Sequence, residues 1–214
     1  MNSLEKKVSY RANNTYETLN NLTKNTKNIW LVFHGIGYLS RYFLKYFKEL
    51  NAEENYIIAP QAPSKYYLND KYIHVGASWL TKENTGSELE NVSAYLDAVF
   101  EAENIPENCN LIVFGFSQGV SIATRWLASK KLKCSQLILY AGGIPNELKV
   151  SDFNFLEANK TKIKVIVGTQ DEYLSDERMK TETQKIKLLF KDKAEIIRFD
   201  GKHEVKVKIV NSIV

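Results

Sequence analysis

The stretch IVFGFSQGVS, residues 112–121, joins an apolar run to a second apolar run through a serine that lies between two glycines. The first run is short and rich in Ile, Val and Phe, which is typical of a strand buried on both faces. Residues 119–127 instead carry apolar side chains at helical spacing. The sequence therefore predicts that a strand turns sharply into a helix at Ser117, because glycine has no Cβ to obstruct a tight turn.

The rest of the chain repeats this alternation of short apolar runs and helical patterns. Helical spacing follows Ser40, precedes Pro106 and follows Ser175, and Ser87 and Glu90 form a capping-box pattern. The alternation predicts a three-layer α/β fold, with a mostly parallel central sheet, right-handed crossovers and helices on both faces. The predicted strands are residues 29–33, 56–59, 111–114, 137–140, 163–167 and 194–199.

The two ends of the chain have different patterns. Within residues 1–28 the segments KVSYRA and TYETLN predict a hairpin, followed by a polar loop. Near the other end, EVKVKIV at 204–210 alternates with period two and predicts a strand, although this architecture would favour a helix there. With 44% hydrophobic residues, we expect residues 1–214 to form one domain around a single core.

Composition narrows the class of protein. The net charge is +4, and the lysines alternate with acids instead of forming a stripe, so we expect no nucleic-acid partner. The chain shows no signal-peptide pattern and no long apolar run, which favours a cytoplasmic protein without stable membrane insertion. Cys109 and Cys134 are interpreted as structural thiols, and the sequence shows no metal-binding motif, so we expect neither metal nor cofactor. A homodimer is left open.

Ser117 has the sequence context of a nucleophile. A serine on a strand-to-helix turn projects above the sheet edge, and the N-terminus of the helix favours a developing negative charge. The backbone N–H of Gln118 would be one donor of an oxyanion hole. The alternative is an ordinary turn with a capping serine.

A nucleophilic serine needs a base, and the chain contains three histidines. His203 follows the last predicted strand and should therefore lie at the same rim of the sheet as Ser117, which makes it the candidate base. His34 follows the strand at 29–33 and is expected to support the loop beside it. His74 lies in a polar loop and is expected to be exposed to solvent or to lie on the substrate side.

The acid that orients the base should follow another strand. Asp171 comes directly after the strand at 163–167 and gives the chain order Ser, Asp, His. Glu172, Asp176 and Asp200 are nearby rivals, and a loop-capping role is the alternative for Asp171.

A second oxyanion donor is expected in the loop after the first central strand. Gly35 and Gly37 flank Ile36, and they would let the backbone turn the Ile36 N–H toward a substrate. The alternative is a plain glycine turn.

These motifs together resemble the α/β-hydrolase superfamily and, within it, the phospholipase/carboxylesterase family, which includes small bacterial carboxylesterases and acyl-protein thioesterases. The resemblance extends from Ile29 to His203. It rests on HGIG at 34–37, APQAP at 59–63, GFSQG at 115–119, GTQDEYL at 168–174 and GKH at 201–203. The glutamine after the serine is the most specific of these features.

The resemblance implies an α/β-hydrolase fold and a serine hydrolase that cleaves esters or thioesters of small or acyl substrates through an acyl-enzyme. The chain departs from the family pattern at Tyr38, where Asp is frequent, and at Trp79-Leu80-Thr81, where Trp-Phe-Asp is frequent. Tyr38 and Trp79 are candidate substrate-binding residues. Tyr66, Tyr67 and Tyr72, in the loop before Trp79, could wall an acyl pocket or could only anchor that loop. A second hypothesis is a receptor-like protein with little turnover; an acyl-protein thioesterase or lysophospholipase is a third.

Overall fold

A central seven-stranded sheet organises the computed structural model, which describes residues 3–214. The strand order is β1-β3-β2-β6-β7-β8-β9, all parallel except β1, which runs antiparallel to β3. A separate antiparallel hairpin consists of β4 and β5. The strands are β1 (Tyr16–Leu19), β2 (Asn28–Phe33), β3 (Asn55–Pro60), β4 (Ser64–Tyr67), β5 (Val75–Ser78), β6 (Asn110–Phe116), β7 (Gln136–Tyr140), β8 (Lys162–Gly168) and β9 (Ala194–Phe199).

Helices cover both faces of the sheet, so the predicted three-layer α/β architecture is confirmed. Alternate residues of β2 contribute to two different cores: Leu31 packs with the first, and Trp30 packs with the second. Burial on both faces explains why the strands are continuous apolar runs in the sequence. The helices are α1 (Ser40–Phe43), α2 (Thr85–Ala102), α3 (Gln118–Lys130), α4 (Asn154–Ala158), α5 (Asp176–Phe190) and α6 (Val207–Asn211).

The helices divide between the two faces according to their apolar stripes. The first core receives α2, α3 and α5 through residues such as Leu96, Trp126 and Ile186. The second core receives α1, the 3₁₀ turn at Leu44–Phe47, and α6 through Val210. Because β6, β8 and β9 are parallel, the loops that leave their carboxyl ends lie at one edge of the sheet.

The predicted N-terminal hairpin is wrong. TYETLN does form β1, but its partner is β3, with Tyr16 opposite Pro60 and Leu19 opposite Ile57. The segment KVSYRA has no regular structure and is exposed. The edge of β3 offers unpaired backbone groups beside an apolar core, whereas a hairpin with KVSYRA would have no core to cover.

The strand predicted at 204–210 is also wrong. The chain turns after β9 and forms the short helix α6 at Val207–Asn211. Val210 and Ile213 are buried and three residues apart, a spacing that places both against the sheet only in a helical turn. The period-two alternation of EVKVKIV therefore does not decide the local structure.

Two helix starts can be compared with their predicted caps. Ser175 caps α5 as predicted, and its hydroxyl accepts from the Arg178 N–H. The capping box at Ser87 and Glu90 is not used, because α2 already begins at Thr85. No helix within residues 3–214 combines the length and apolar character needed to span a bilayer. Cys109 and Cys134 are both free thiols, as interpreted from the sequence.

Candidate active site

Ser117 occupies a strained turn between β6 and α3. Its φ is 53° and its ψ is −119°, a conformation that non-glycine residues rarely adopt. Close backbone packing fixes the turn: a Cβ on Gly115 would lie 2.6 Å from the Gly119 oxygen, and a Cβ on Gly119 would collide with the Phe33 carbonyl. The two glycines of the motif are therefore required by space as well as by turn geometry.

Three predicted site residues form one hydrogen-bonded chain. His203 Nε2 lies 2.8 Å from Ser117 Oγ, and His203 Nδ1 lies 2.8 Å from Asp171 Oδ2. An ionised carboxylate can only accept, so this contact places the imidazole proton on Nδ1 and leaves Nε2 as the acceptor for the serine hydroxyl. The residues come from the ends of three strands, which brings together side chains far apart in the sequence.

Asp171 is held in place by its own loop. Its side chain is completely buried, and its second carboxylate oxygen accepts from the amides of Tyr173 at 2.9 Å and Leu174 at 3.2 Å. The Tyr173 ring also packs against the His203 ring, with centroids 4.7 Å apart. The Asp171 loop therefore fixes both the acid and one face of the imidazole.

The rival acids have other surroundings. Asp200 accepts from the Gln170 side chain at 3.0 Å, and Glu172 and Asp176 are exposed. The structure brings Asp171, and not these three, to His203.

Two residues beside Ser117 have backbone N–H groups that are not used in other hydrogen bonds of the described residues. Ile36 and Gln118 both line the cavity there, and within residues 3–214 neither amide donates a hydrogen bond to another protein group. The Ile36 loop is anchored by its neighbour, because the Gly37 amide donates to the Ala77 carbonyl at 2.8 Å with a φ of 83°. Both residues therefore line the cavity with unused N–H groups, and their role as oxyanion donors stays a prediction.

His34 supports this loop from below, as the sequence predicts. Its Nδ1 donates to the Gly35 carbonyl at 2.8 Å, and its Nε2 accepts from the Ala62 amide at 3.1 Å. The two backbone contacts define a neutral tautomer. Complete burial lowers the pKa of His34 to about 4, because the charged form would lose its hydration.

The hypothesis that Trp79 binds substrate is corrected by its position. Trp79 is fully buried in the first core, and its indole Nε1 donates to the His34 carbonyl at 2.8 Å. Its amide donates to Gln118 Oε1, also at 2.8 Å. The ring therefore anchors the loop after β5, because the indole is large and finds its polar partner inside the protein.

The tyrosines before Trp79 are not part of the cavity wall at Ser117. Tyr66, Tyr67 and Tyr72 are exposed on the β4–β5 hairpin, and Tyr67 packs on Tyr72 with centroids 5.1 Å apart. His74 is exposed beside them, in agreement with its expected environment. None of these four residues lines the cavity at Ser117.

The cavity above the serine has a volume of about 380 Å³. Tyr38 lines it, and its hydroxyl bonds to that of Tyr46 at 3.1 Å, so its role in substrate binding stays a prediction. Sequence reasoning missed Tyr173 and Arg178 as lining residues. Tyr173 belongs to the quoted GTQDEYL motif, whereas Arg178 stands on a helix with no local pattern that points to a site.

Comparison with known proteins places these features in context. Residues 14–214 match the family described as Phospholipase/Carboxylesterase. None of the curated proteins matches the chain significantly.

Solved structures share the fold at low sequence identity. Acyl-protein thioesterase 2 from Zea mays is 14% identical with a TM-score of 0.70, covering 94% of this chain and 96% of its own. A phospholipase/carboxylesterase from Dyadobacter fermentans is 20% identical with a TM-score of 0.65, covering 95% and 97%. The Bacillus cereus carboxylesterase is 16% identical with a TM-score of 0.62, covering 94% and 91%.

Proposed function

The chain belongs to the phospholipase/carboxylesterase family, and we propose that it is a serine hydrolase that cleaves carboxylic esters or thioesters through an acyl-enzyme. The observation that carries the proposal is the continuous hydrogen-bonded chain from Asp171 through His203 to Ser117. This arrangement supplies a nucleophile, a base and an orienting acid in one line.

In the first half of the reaction, Ser117 Oγ attacks the substrate carbonyl carbon while its proton passes to His203 Nε2. The tetrahedral intermediate then collapses. The bond to the leaving alcohol or thiol breaks, and that group takes the proton from Nε2. Asp171 keeps the proton on Nδ1 and stabilises the imidazolium, and the product is an acyl ester of Ser117.

In the second half, water replaces the leaving group. His203 Nε2 removes a proton from the water as its oxygen attacks the acyl carbon. Collapse of the second intermediate expels Ser117 Oγ, which recovers the proton from Nε2. The carboxylic acid leaves and the resting state returns.

The amides of Ile36 and Gln118 would stabilise the oxyanion in both intermediates. Each is a fixed donor that needs no reorganisation during the reaction, and loss of one such donor costs about 10²–10³-fold in kcat in comparable sites. The free N–H groups at the cavity support this role.

The size of the cavity and the family favour a small ester or acyl substrate. A volume of about 380 Å³ lies within the range of small-molecule sites. The maize protein is named an acyl-protein thioesterase, so thioesters are included in the proposal. Matched oxygen and thiol esters of the same acyl group would separate the two preferences.

Ser117→Ala tests the proposal directly. Wild-type protein should hydrolyse p-nitrophenyl butyrate and react with a fluorophosphonate probe, and the variant should do neither while keeping its circular dichroism spectrum. Ser129→Ala is the matched control, because Ser129 is exposed on the same helix. Retained turnover in Ser117→Ala would refute the assignment. Probe labelling of wild type without turnover of any ester or thioester would instead favour the receptor-like hypothesis.

A further inference from the structure

Arg178 brings a positive charge to the cavity at Ser117. It is an exposed residue of α5, and it lines the same cavity as Ser117 and His203. A Cβ added to Gly143 would lie 3.2 Å from Arg178 Nη2, so this end of the guanidinium stands against the cavity wall. The charge therefore lies beside the reacting groups and not on a remote surface.

The guanidinium is held in position by the loop that also holds the acid. Arg178 Nη1 donates to the Tyr173 carbonyl at 2.8 Å, and Tyr173 follows Asp171 by two residues. Nη1 is thus occupied by a backbone acceptor, whereas within residues 3–214 neither Nη2 nor Nε of Arg178 donates a hydrogen bond. This fixed position reduces the side-chain entropy that an exposed arginine would lose on pairing.

The positive charge of Arg178 has no ion-pair partner in the part of the chain that the structure describes. Across residues 3–214, Arg178 forms no ion pair with Asp or Glu. The carboxylate of Glu182 does lie close by, since a Cβ on Gly143 would be 3.1 Å from its Oε1 and 3.2 Å from Arg178 Nη2. Glu182 is instead bonded to Lys185 Nζ and to the Ile144 amide, each at 3.1 Å. No Asp or Glu from this described part of the chain lines the cavity itself.

We propose that Arg178 selects substrates that carry a carboxylate in addition to the scissile ester or thioester bond. This inference rests on the proposed hydrolase function and names its substrate class. A planar guanidinium with an open fork binds a carboxylate through two parallel hydrogen bonds. A neutral substrate of the same size would leave the cation unpaired.

The carboxylate could belong to the acyl portion or to the leaving group, and two substrate pairs distinguish these sources. The acyl pair is mono-p-nitrophenyl adipate and p-nitrophenyl hexanoate, which differ at the far end of the acyl chain. The leaving-group pair is 4-(butyryloxy)benzoate and its methyl ester. The quantity measured is the ratio of kcat/KM for the anionic member to kcat/KM for the neutral member, after subtraction of spontaneous hydrolysis.

Wild-type protein should prefer the anionic member of at least one pair by about tenfold, the order expected for one charge-assisted contact at a partly exposed site. Arg178→Gln should abolish that preference, mainly through a higher KM for the anionic ester. Arg178→Lys should keep part of it, since the charge remains but the fork is lost. Lys180→Gln is the matched control, because Lys180 is an exposed cation of the same helix and does not line the cavity.

The outcomes separate this inference from the function on which it rests. Equal turnover of both members of both pairs by wild type would overturn the anionic preference and leave the hydrolase proposal intact. A preference that survives in Arg178→Gln, or that falls equally in Lys180→Gln, would also overturn the role of Arg178. If wild type hydrolyses no member of either pair, the proposed function fails and the substrate class fails with it.

Discussion

The side chain of Gln118 is bonded to the backbone around Trp79. Its Oε1 accepts from the Trp79 amide at 2.8 Å, and its Nε2 donates to the Leu80 carbonyl at 2.8 Å and to Ser78 Oγ at 3.1 Å. The residue after the candidate nucleophile thus has two separate uses. Its backbone N–H is the predicted oxyanion donor, and its side chain holds the loop after β5 against the start of α3.

Replacement of the Gln118 side chain should therefore lower the free energy of unfolding more directly than it lowers the rate of hydrolysis. Gln118→Ala keeps the backbone N–H but leaves the buried Trp79 amide without its acceptor, and the Leu80 carbonyl keeps only its bond from Ser78 Oγ. We expect a loss of about 1–3 kcal/mol in the free energy of unfolding. Urea denaturation followed by tryptophan fluorescence measures it.

Gln170→Ala is the control for Gln118→Ala. Gln170 is exposed, and among residues 3–214 its side chain bonds only to Asp200, so its loss should change the free energy of unfolding by less than about 0.5 kcal/mol. Equal effects of the two alanine variants would show that the bonds to the β5 loop do not contribute to stability.

Asp171→Asn tests the acid of the candidate site. The amide oxygen can still accept from Tyr173 and Leu174, but the amide nitrogen would face His203 Nδ1 and favour the wrong tautomer. We expect kcat for p-nitrophenyl butyrate to fall by about 10⁴-fold with little change in the folded structure.

Asp200→Asn provides the comparison for this acid. Asp200 lies three residues before His203, yet it bonds to Gln170, so its replacement should leave kcat within about twofold of wild type. A small loss in Asp171→Asn together with a large loss in Asp200→Asn would transfer the orienting role to Asp200.

Much of the fold can be predicted from the sequence because the central strands are buried on both faces. Such strands appear as isolated apolar runs, and all six predicted ones are present. The ends of the chain could not be predicted in the same way. The partner of β1 is chosen by the exposed edge of β3, and α6 is set by the burial of Val210 and Ile213, and neither fact is visible in local periodicity.

The residues of the candidate site also fall into a group that the sequence predicts and a group that it does not. Ser117, Asp171 and His203 each follow a predicted strand, so topology alone predicts that they lie at one rim, and they are within hydrogen-bonding distance. The roles of Trp79 and Arg178 depend instead on the direction in which each side chain points in the folded protein. The indole of Trp79 points into the core and the guanidinium of Arg178 points toward the cavity, and no local spacing encodes either direction.

The requirement for glycine at 119 can be tested by adding one methyl group. A Cβ at this position would collide with the Phe33 carbonyl, and backbone cannot move aside as a flexible side chain could. We expect Gly119→Ala to lose more than about 4 kcal/mol in the free energy of unfolding or to fail to fold. Thermal denaturation followed by circular dichroism measures the change.

Gly86→Ala is the matched glycine substitution. Gly86 lies in the first turn of α2, where no heavy atom of the described residues would come within 4 Å of an added Cβ. Alanine should therefore stabilise the protein by about 0.5 kcal/mol through the lower entropy of the unfolded chain. A Gly119→Ala variant as stable as Gly86→Ala would contradict the packing derived for the turn at Ser117.

His34 should make the stability of the protein depend on pH. Burial lowers its pKa to about 4 in the folded state, whereas the unfolded chain has the ordinary value of about 6.5. Between these values the unfolded state binds more protons, so the free energy of unfolding rises with pH over this window. The contribution of His34 is fully present above about pH 6.5 and is lost as the pH falls toward 4, with an order of magnitude of about 3 kcal/mol.

Urea denaturation of wild type and His34→Gln between pH 4 and pH 7 measures this contribution. The variant should be less stable at pH 7, because the ring contacts to Gly35 and Ala62 are lost, but its stability should fall less between pH 6.5 and pH 4. His74→Gln is the control, since His74 is exposed in the β4–β5 loop and its removal should leave a curve parallel to that of wild type. Parallel curves for all three proteins would contradict the prediction, because they would show that burial does not lower the pKa of His34 in the folded state.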